Sequence, residues 1–369
     1  MAAAAVSQPA SSIPTYNQIP ETKYELDWAE LATLDLSQFD QPGGKEKLAK
    51  QLAEAIEKIG FFYITDFGLT QEQVDRQFAI GKEVFQLPTE EKLKYRADLE
   101  NGGYNGYKPL GIREVRPGIY DNTEIYNIPK FIPELERPQP SVILDNRAEI
   151  EHFARHIHDH VVGKLLVLFA LVLELPDETY FLRRHRYDAR SDCHLRYMKY
   201  HQRTPAQNKA LDNVWVKGHT DFGSLTLLFR QPVAALQVRG PDGESWRWVR
   251  PHPGSITVNI ADSLEFLTNG FLKSSIHRVV APPPDQAGVD RLGVLYFVRP
   301  EDSLELRPVA DSAVLARLGY DKTTDGAAVG ITAGEWVKAR VAKGVAKEKP
   351  RSEVAEQDII KGKSAKYYD

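Results

Sequence analysis

Residues 218–230 read Gly-His-Thr-Asp-Phe-Gly-Ser-Leu-Thr-Leu-Leu-Phe-Arg, and this stretch decides the fold. Ser224–Phe229 is an apolar run and predicts a short buried strand, with His219 and Asp221 at its entrance. In extended chain, side chains two apart point to the same side, so His219 and Asp221 can face one pocket. A second imidazole, His277, stands in Ser274-Ser275-Ile276-His277-Arg278-Val279. Two imidazoles and one carboxylate on one face of an octahedron leave three adjacent positions open. That suits a non-haem Fe(II) centre, where a bidentate co-substrate and O2 can bind side by side. Taken alone, the His-x-Asp pair has a plainer alternative: two strand-end residues satisfied by turn hydrogen bonds.

Working outward, the segments Val214–Val216, Leu236–Val238, Trp246–Val249, Ser255–Asn259 and Leu292–Val298 all predict short strands. Gly, Pro and Asp clusters separate them. This suggests a closed or double-sheet β architecture such as a jelly roll. The N-terminal half differs. A strand is expected near Leu31–Leu36 and an amphipathic helix from Lys45 to Ile59, with Leu48, Leu52, Ile56 and Ile59 at helical spacing. Phe61–Thr65 reads as a buried strand. Thr70 and Gln73 form a capping-box signal for a helix reaching Phe85, ended by Leu87-Pro88. Residues 100–130, punctuated by Gly and Pro, predict loops and short strands, and the Pro-rich residues 131–146 predict a surface wrap. One long helix is expected from Arg147 to Leu175. Helices first and strands after give an α+β order.

Several quoted stretches recur together in one known family. They are HTDFGSLTLLFR (219–230), LQV (236–238), SITVNIADSLEFLTNG (255–270), LKSSIHRVV (272–280) and DRLGVLYFVRP (290–300). Upstream come GFFYITDFGL (60–69), LPTEEKLKY (87–95) and GYNGY (103–107). Over residues 30 to 305 the chain resembles the 2-oxoglutarate- and Fe(II)-dependent dioxygenase superfamily, in its isopenicillin N synthase-like branch. The resemblance implies a double-stranded β-helix (jelly-roll) core with flanking helices, and iron on His219, Asp221 and His277. It implies 2-oxoglutarate as co-substrate, O2 as oxidant, and oxidation of a small organic molecule by hydroxylation, desaturation or ring modification, with secondary metabolism as a setting.

In such proteins an Arg-x-Ser pair holds the far carboxylate of 2-oxoglutarate. Arg291 matches the Arg, whose planar fork suits a carboxylate; Gly293 replaces the Ser. Tyr200, in Leu195-Arg196-Tyr197-Met198-Lys199-Tyr200, matches a Tyr that can bond the co-substrate, while Met198 departs from the usual Asn. The region equivalent to 100–130 contributes to the substrate pocket, which nominates Tyr104, Asn105, Tyr107, Arg113, Arg116, Tyr120 and Tyr126. Gly293 leaves a same-fold Fe(II) oxidase that does not use 2-oxoglutarate as an alternative, and a catalytically silent binding protein is another. A surface ion pair with Asp290 or Asp285 is the plainer reading of Arg291.

Composition narrows the remainder. The chain has 369 residues, 42 % apolar and 27 % charged, enough for a substantial core. A net charge of −4 gives no footprint for nucleic acid or an anionic membrane. The longest apolar run, Leu165–Leu173, is about half of the roughly 20 residues a bilayer needs. One cysteine, Cys193, excludes an intramolecular disulfide and a multi-cysteine zinc site. A cytoplasmic monomer or homodimer with a small-molecule substrate is expected. His152, His156, His158 and His160 tempt as a second metal cluster, but they lack the His-Glu-x-x-His pattern and read as a solvated or capping face. Arg278 reads as a structural neighbour of His277. The expected organisation is a flexible tail at 1–20, a mixed region at 21–190 packing on the core, a catalytic core at 191–305 and a helical extension at 306–369. Thr332 to Glu335 gives a second capping box, and the charged C-terminal stretch from 347 reads as a solvated helix or tail.

Overall fold

The computed structural model describes residues 13–321, 330–345 and 356–368. In chain order the strands are β1 (Ala32–Asp35), β2 (Phe61–Thr65), β3 (Gly106–Lys108), β4 (Glu114–Arg116), β5 (Ile119–Tyr120), β6 (Thr123–Pro129), β7 (His194–Tyr200), β8 (Val214–His219), β9 (Leu225–Phe229), β10 (Leu236–Arg239), β11 (Trp246–Trp248), β12 (Ile256–Ile260), β13 (His277–Val280), β14 (Arg291–Val298), β15 (Glu356–Ile360) and β16 (Lys363–Lys366). Eight of them form a major sheet ordered β1-β2-β12-β9-β14-β7-β6-β3, and four form a minor sheet ordered β11-β10-β13-β8. The two sheets face each other. Phe61 of β2 meets the His277 ring edge-on, with centroids 5.6 Å apart, and Tyr200 of β7 stacks on Trp215 of β8 at 6.1 Å. This is a jelly-roll core, and β1, β2, β3 and β6 from the N-terminal half are built into its larger sheet rather than laid over it.

Period-two alternation explains the layering. On β14 the side chains of Leu292, Val294, Tyr296 and Val298 join the main apolar core. Arg291, Gly293, Leu295 and Phe297 alternate with them and turn toward the minor sheet. Cross-strand pairing carries the pattern onto β7, where Leu195 and Tyr197 face the helices while Arg196, Met198 and Tyr200 face inward. Helices Gly44–Lys58, Gln71–Gln86 and Gly163–Val172 cover the outer face. Thr70 and Gln73 close the expected capping box. Gly81 permits the close approach of its helix: a Cβ there would lie 2.9 Å from the Tyr197 ring.

Several expectations change. The helix predicted over 147–175 is interrupted by a π-helical turn, Ile157–Val162, between Arg147–His156 and Gly163–Val172. The wider turn coincides with buried His158, which uses both ring nitrogens: one with the Tyr296 hydroxyl at 3.0 Å, the other on the His185 carbonyl at 2.6 Å. His156 bonds the Phe67 carbonyl at 2.8 Å, so these two histidines are structural, while His152 and His160 are exposed as a solvated face would be. Of the predicted N-terminal tail, residues 1–12 lie outside the described residues. Of residues 13–20, Ile13 and Tyr16 pack against the core, with Tyr16 stacked on Phe78 at 5.1 Å. Residues 131–146 hold a short helix, Ser141–Asp145, and bury Ile132 and Ile143.

The C-terminal stretch also differs. Residues 346–355 lie outside the described residues. Beyond them β15 and β16 form a hairpin joined at Lys361-Gly362, both at positive φ as a tight two-residue turn requires. Ile359 and Ala365 are buried, and backbone groups of Tyr368 and Gly218 exchange two hydrogen bonds of 2.8 Å. The chain end is thus zipped onto β8. Within this hairpin the charged residues Glu356, Asp358, Lys361 and Lys366 are exposed.

Segment 100–130 contains β6, a seven-residue strand buried along its length. Its Glu124 is buried yet satisfied by Lys92 at 2.6 Å, His201 at 2.7 Å and the Tyr107 hydroxyl at 2.8 Å. Burial alone would raise the Glu124 pKa, but these hydrogen bonds outweigh it and hold it at about 2. The folded value lies below the ordinary carboxyl value of about 4.5, so this stabilisation is full above pH 4.5 and is lost as pH falls toward 2. Glu124→Gln is expected to lower stability by about 1–3 kcal/mol at pH 7. Its Tm deficit against the natural chain should shrink on acidification through pH 4.5. A deficit unchanged near pH 2.5 would show that the charge is not what matters.

Candidate metal centre and cavity

His219 closes β8, His277 opens β13, and the two are cross-strand partners. Their ring centroids are 4.4 Å apart. Asp221, two residues past His219, brings Oδ2 to 3.9 Å from His277 Nε2. One donor atom from each of the three residues lies within 4.8 Å of the other two, so a single ion can reach all three. This is the only such cluster among the described residues.

The surroundings fix how the donors point. His219 Nδ1 bonds the Lys217 carbonyl at 2.9 Å, and His277 Nδ1 bonds the Ser275 carbonyl at 3.1 Å. A carbonyl only accepts, so each Nδ1 carries the proton and each Nε2 keeps its lone pair for a metal. Asp221 Oδ2 accepts from the Thr226 hydroxyl at 2.6 Å and from Asn259 Nδ2 at 3.1 Å, which orient the carboxylate. Burial and the neighbouring His277 push His219 down to about 3, so it is neutral at pH 7. Burial opposes ionisation of Asp221, but the imidazoles of His277 and His219 and the two hydrogen bonds hold it at about 2. Two imidazoles that each present Nε2 and one carboxylate match the donor set for Fe(II) with open positions.

A cavity of about 550 Å³ adjoins this cluster. His219, Asp221 and Tyr200 are on its wall, with Tyr104, Arg113 and Arg116 from the predicted substrate segment. Arg291, the cross-strand partner of Tyr200, stands beside it, its guanidinium carbon 5.3 Å from the Tyr200 ring centre. Arg291 is 4 % exposed, and among the described residues it forms no ion pair and its Nε has no hydrogen-bond partner. Asp290 is taken by Lys199 at 2.9 Å, and Asp285 by Thr22 and the Lys23 amide, so the surface-pair reading of Arg291 is removed. Burial raises the Tyr200 hydroxyl to about 12 and keeps it a neutral donor.

Over the 2OG-Fe(II) oxygenase superfamily model the chain matches at residues 190–300, and over the model for the N-terminal region of non-haem dioxygenases of morphine synthesis at 31–147. It is 30 % identical to the 2-oxoglutarate-dependent dioxygenase frbH of Dothideomycetidae sp., across 81 % of this chain and 91 % of that protein. The chain belongs to the 2OG-Fe(II) oxygenase superfamily. This oxygenase is also 30 % identical to the UPF0676 protein C1494.01 of Schizosaccharomyces pombe, across 85 % of the chain and 92 % of that protein. The fold matches that of a full-length Neurospora crassa protein, solved in complex with alpha-KG, at TM-score 0.73 and 23 % identity, across 88 % of this chain and all of that one. The chain is accordingly an Fe(II)- and 2-oxoglutarate-dependent dioxygenase. Among the described residues, no helix of this oxygenase is long and apolar enough to cross a membrane.

Four of the seven residues nominated for substrate lie elsewhere. Tyr107 is committed to Glu124, and Tyr126 donates to Gln139 Oε1 at 2.5 Å in the buried interior. Tyr120 is exposed on the small β4–β5 hairpin. Asn105 is off the cavity wall, its carbonyl accepting from Arg137. The aromatic, glycine-rich text of this segment does not separate wall from interior. Arg278 stacks on Trp246 at 4.3 Å and bonds Gln237, as a structural neighbour would, and also touches the cavity. Cys193 is buried and bonded to the Arg299 backbone.

Sequence reading passed over Arg196, Arg299 and Arg340, which are all on the wall. Arg340 lies on helix Ala333–Val345, 2.6 Å from Asp262 Oδ2 and 3.1 Å from the Thr220 carbonyl, and so braces the loop that carries Asp221. The signal existed: after the Thr332/Glu335 box, Trp336, Val337, Arg340 and Val341 share one helical face.

Proposed function

We propose that His219, Asp221 and His277 hold the iron of this oxygenase, and that Arg291 with Tyr200 receives the distal carboxylate of 2-oxoglutarate. The reading has the enzyme oxidising a small organic molecule in the adjoining cavity, as a cytoplasmic monomer or homodimer, by hydroxylation, desaturation or ring modification. The convergence of two oriented Nε2 atoms and one carboxylate on a common point carries it. Bound iron would supply the activation of O2 and the oxidising power for C–H chemistry.

The chain's own residues do the rest. Lys217 and Ser275 carbonyls hold the imidazole protons away from the metal side. Thr226 and Asn259 keep Asp221 from rotating. Arg291 is a buried cation without an anion, a costly arrangement that a carboxylate would relieve. The two sheets and helix Ala333–Val345 limit access of water to the reacting centre.

The direct test is aerobic incubation with Fe(II), 2-oxoglutarate and a panel of small organic molecules. Succinate and CO2 are expected in equal amounts, dependent on added iron. Consumption of O2 with no succinate would favour the same-fold oxidase instead.

Gly293 gives a separate prediction. A Cβ there would lie 3.4 Å from Leu295 Cδ1, 3.8 Å from Gln231 Nε2 and 3.8 Å from the Met198 carbonyl, which are ordinary contacts. Gly293→Ser therefore fits and can add one hydroxyl donor near Arg291. A hydrogen bond to a charged group contributes about 1.5–3 kcal/mol, so KM for 2-oxoglutarate should fall about 10-fold or more. An unchanged KM with a normal Tm would place the carboxylate elsewhere.

A further inference from the structure

We infer that Arg196 and Arg299 form a second anion pocket, which binds the carboxylate of an acidic organic substrate while its apolar body lies toward the metal ligands. This deepens the proposed function and rests on it for the chemistry, though not for the binding.

Tyr200 is on the cavity wall with Arg291 packed against its ring, and Arg196 is on the wall farther along the same strand. Arg196 and Tyr200 are four residues apart on the same inward face of β7, so the Arg196 end lies about 13 Å from the Tyr200–Arg291 end. Arg299 follows Phe297 just past β14. Phe222, the residue after Asp221, links this end to the metal ligands, since its ring centre lies 5.3 Å from the Arg299 guanidinium.

Both guanidiniums are buried: Arg196 is 6 % exposed and Arg299 2 %. Arg196 lies between the rings of Phe297 at 4.1 Å and Tyr104 at 4.6 Å. Its bonded partners are neutral: Asn127 Oδ1 at 2.8 Å and His194 Nε2 at 3.3 Å. His194 Nδ1 bonds the Asp192 carbonyl at 2.7 Å, so the Nε2 that faces Arg196 is the acceptor. Burial and the two arginines keep His194 neutral, well below its ordinary value. Arg299 Nε approaches Asp192, with the carbonyl at 3.3 Å and Oδ2 at 3.4 Å, while one terminal nitrogen, Nη1, is buried with no partner.

The other wall cations are mostly compensated. Lys108 pairs with Asp121, Arg116 with Asp212 and Arg340 with Asp262. Arg113 lies near Asp121, whose carboxyl it helps hold low, and among the described residues its Nε is buried without a hydrogen-bond partner. Asp192 is thus a carboxylate partner of Arg299, while the hydrogen-bond partners of Arg196 among the described residues carry no charge. Buried charge without a counter-charge is expensive unless a ligand supplies one. A carboxylate suits the planar donors of Arg. The apolar wall residues Ile125, Leu211, Val214, Val216 and Val341 leave the remainder of the cavity suited to a hydrocarbon body.

The test is equilibrium binding of a library of small aromatic and aliphatic carboxylic acids, each paired with its methyl ester. Binding is read by calorimetry or saturation-transfer NMR on the protein loaded with Mn(II) and 2-oxoglutarate, and again without either. At least one acid is expected to bind about 10-fold tighter than its ester. Arg196→Gln and Arg299→Gln should each erase that preference, and Arg196→Lys should keep part of it. The 2-oxoglutarate affinity and Mn(II) content should stay within 2-fold, which also shows that the variants fold. Absence of any acid–ester preference overturns the inference. So does a preference that survives both Gln variants, or one that disappears in Arg291→Gln instead. If 2-oxoglutarate fails to bind while the Arg196-dependent preference stands, the co-substrate assignment fails and this one does not.

Discussion

Replacement of Asp221 or His277 by Ala is expected to abolish 2-oxoglutarate turnover, with activity lower by more than about 100-fold. Removing groups that merely orient a metal ligand already costs 10–100-fold in metal affinity or activity, and these residues are proposed as the ligands themselves. Each supplies one of three donors that sit within 4.8 Å of one another. Asp221 also supplies the one negative charge of the donor set, which would offset part of the charge of a bound Fe(II). Iron retained after gel filtration and CO2 released from labelled 2-oxoglutarate are the measurements, with Tm taken on the same samples. A variant that keeps stoichiometric iron and turnover would remove the metal assignment. One that loses both at an unchanged Tm would exclude simple unfolding as the cause.

The second large effect concerns Arg291. Arg291→Leu should raise KM for 2-oxoglutarate about 10–100-fold, because a hydrogen bond to a charged group contributes about 1.5–3 kcal/mol. Arg291→Lys should fall between, since an ammonium keeps the charge and loses the planar fork. Stability should behave unlike that of most buried charges. Breaking a buried ion pair usually costs about 3–5 kcal/mol, but among the described residues Arg291 has no ion pair to break. Its removal takes away a desolvation cost, so Tm should hold or rise while co-substrate affinity drops. A fall in Tm with unaltered KM would make Arg291 a packing residue.

How much of this was legible in the sequence depended on where the signal was local. His219 and Asp221 could be assigned to one side because strand alternation is a short-range rule. His277 followed because the text around it is distinctive. That its ring would face His219 across a β pair is a long-range fact that spacing does not contain. Segment 100–130 misled for a physical reason. β6 buries Glu124, whose charge reads as surface until Lys92, His201 and Tyr107 converge on it from three other segments. The tyrosines of that region were therefore read as pocket residues when two of them are interior struts. Arg196 and Arg299 were passed over because each looks like an ordinary strand arginine. Only the pairing of β7 with β14 shows that they share one end of a cavity. The C-terminal hairpin was hidden by its lysines and acids, although the Lys361-Gly362 turn between Ile359 and Ala365 was present in the text.

The backbone exchange between Tyr368 and Gly218 has a practical side. Anything fused past Tyr368 would begin at the edge of β8, one residue from His219. A purification handle placed there would pull on the strand that presents an imidazole to the proposed iron. At the other end of the described residues, Tyr16 stacks on Phe78, on the helical side of the major sheet. Recombinant protein intended for metal titration should carry its handle ahead of Ile13.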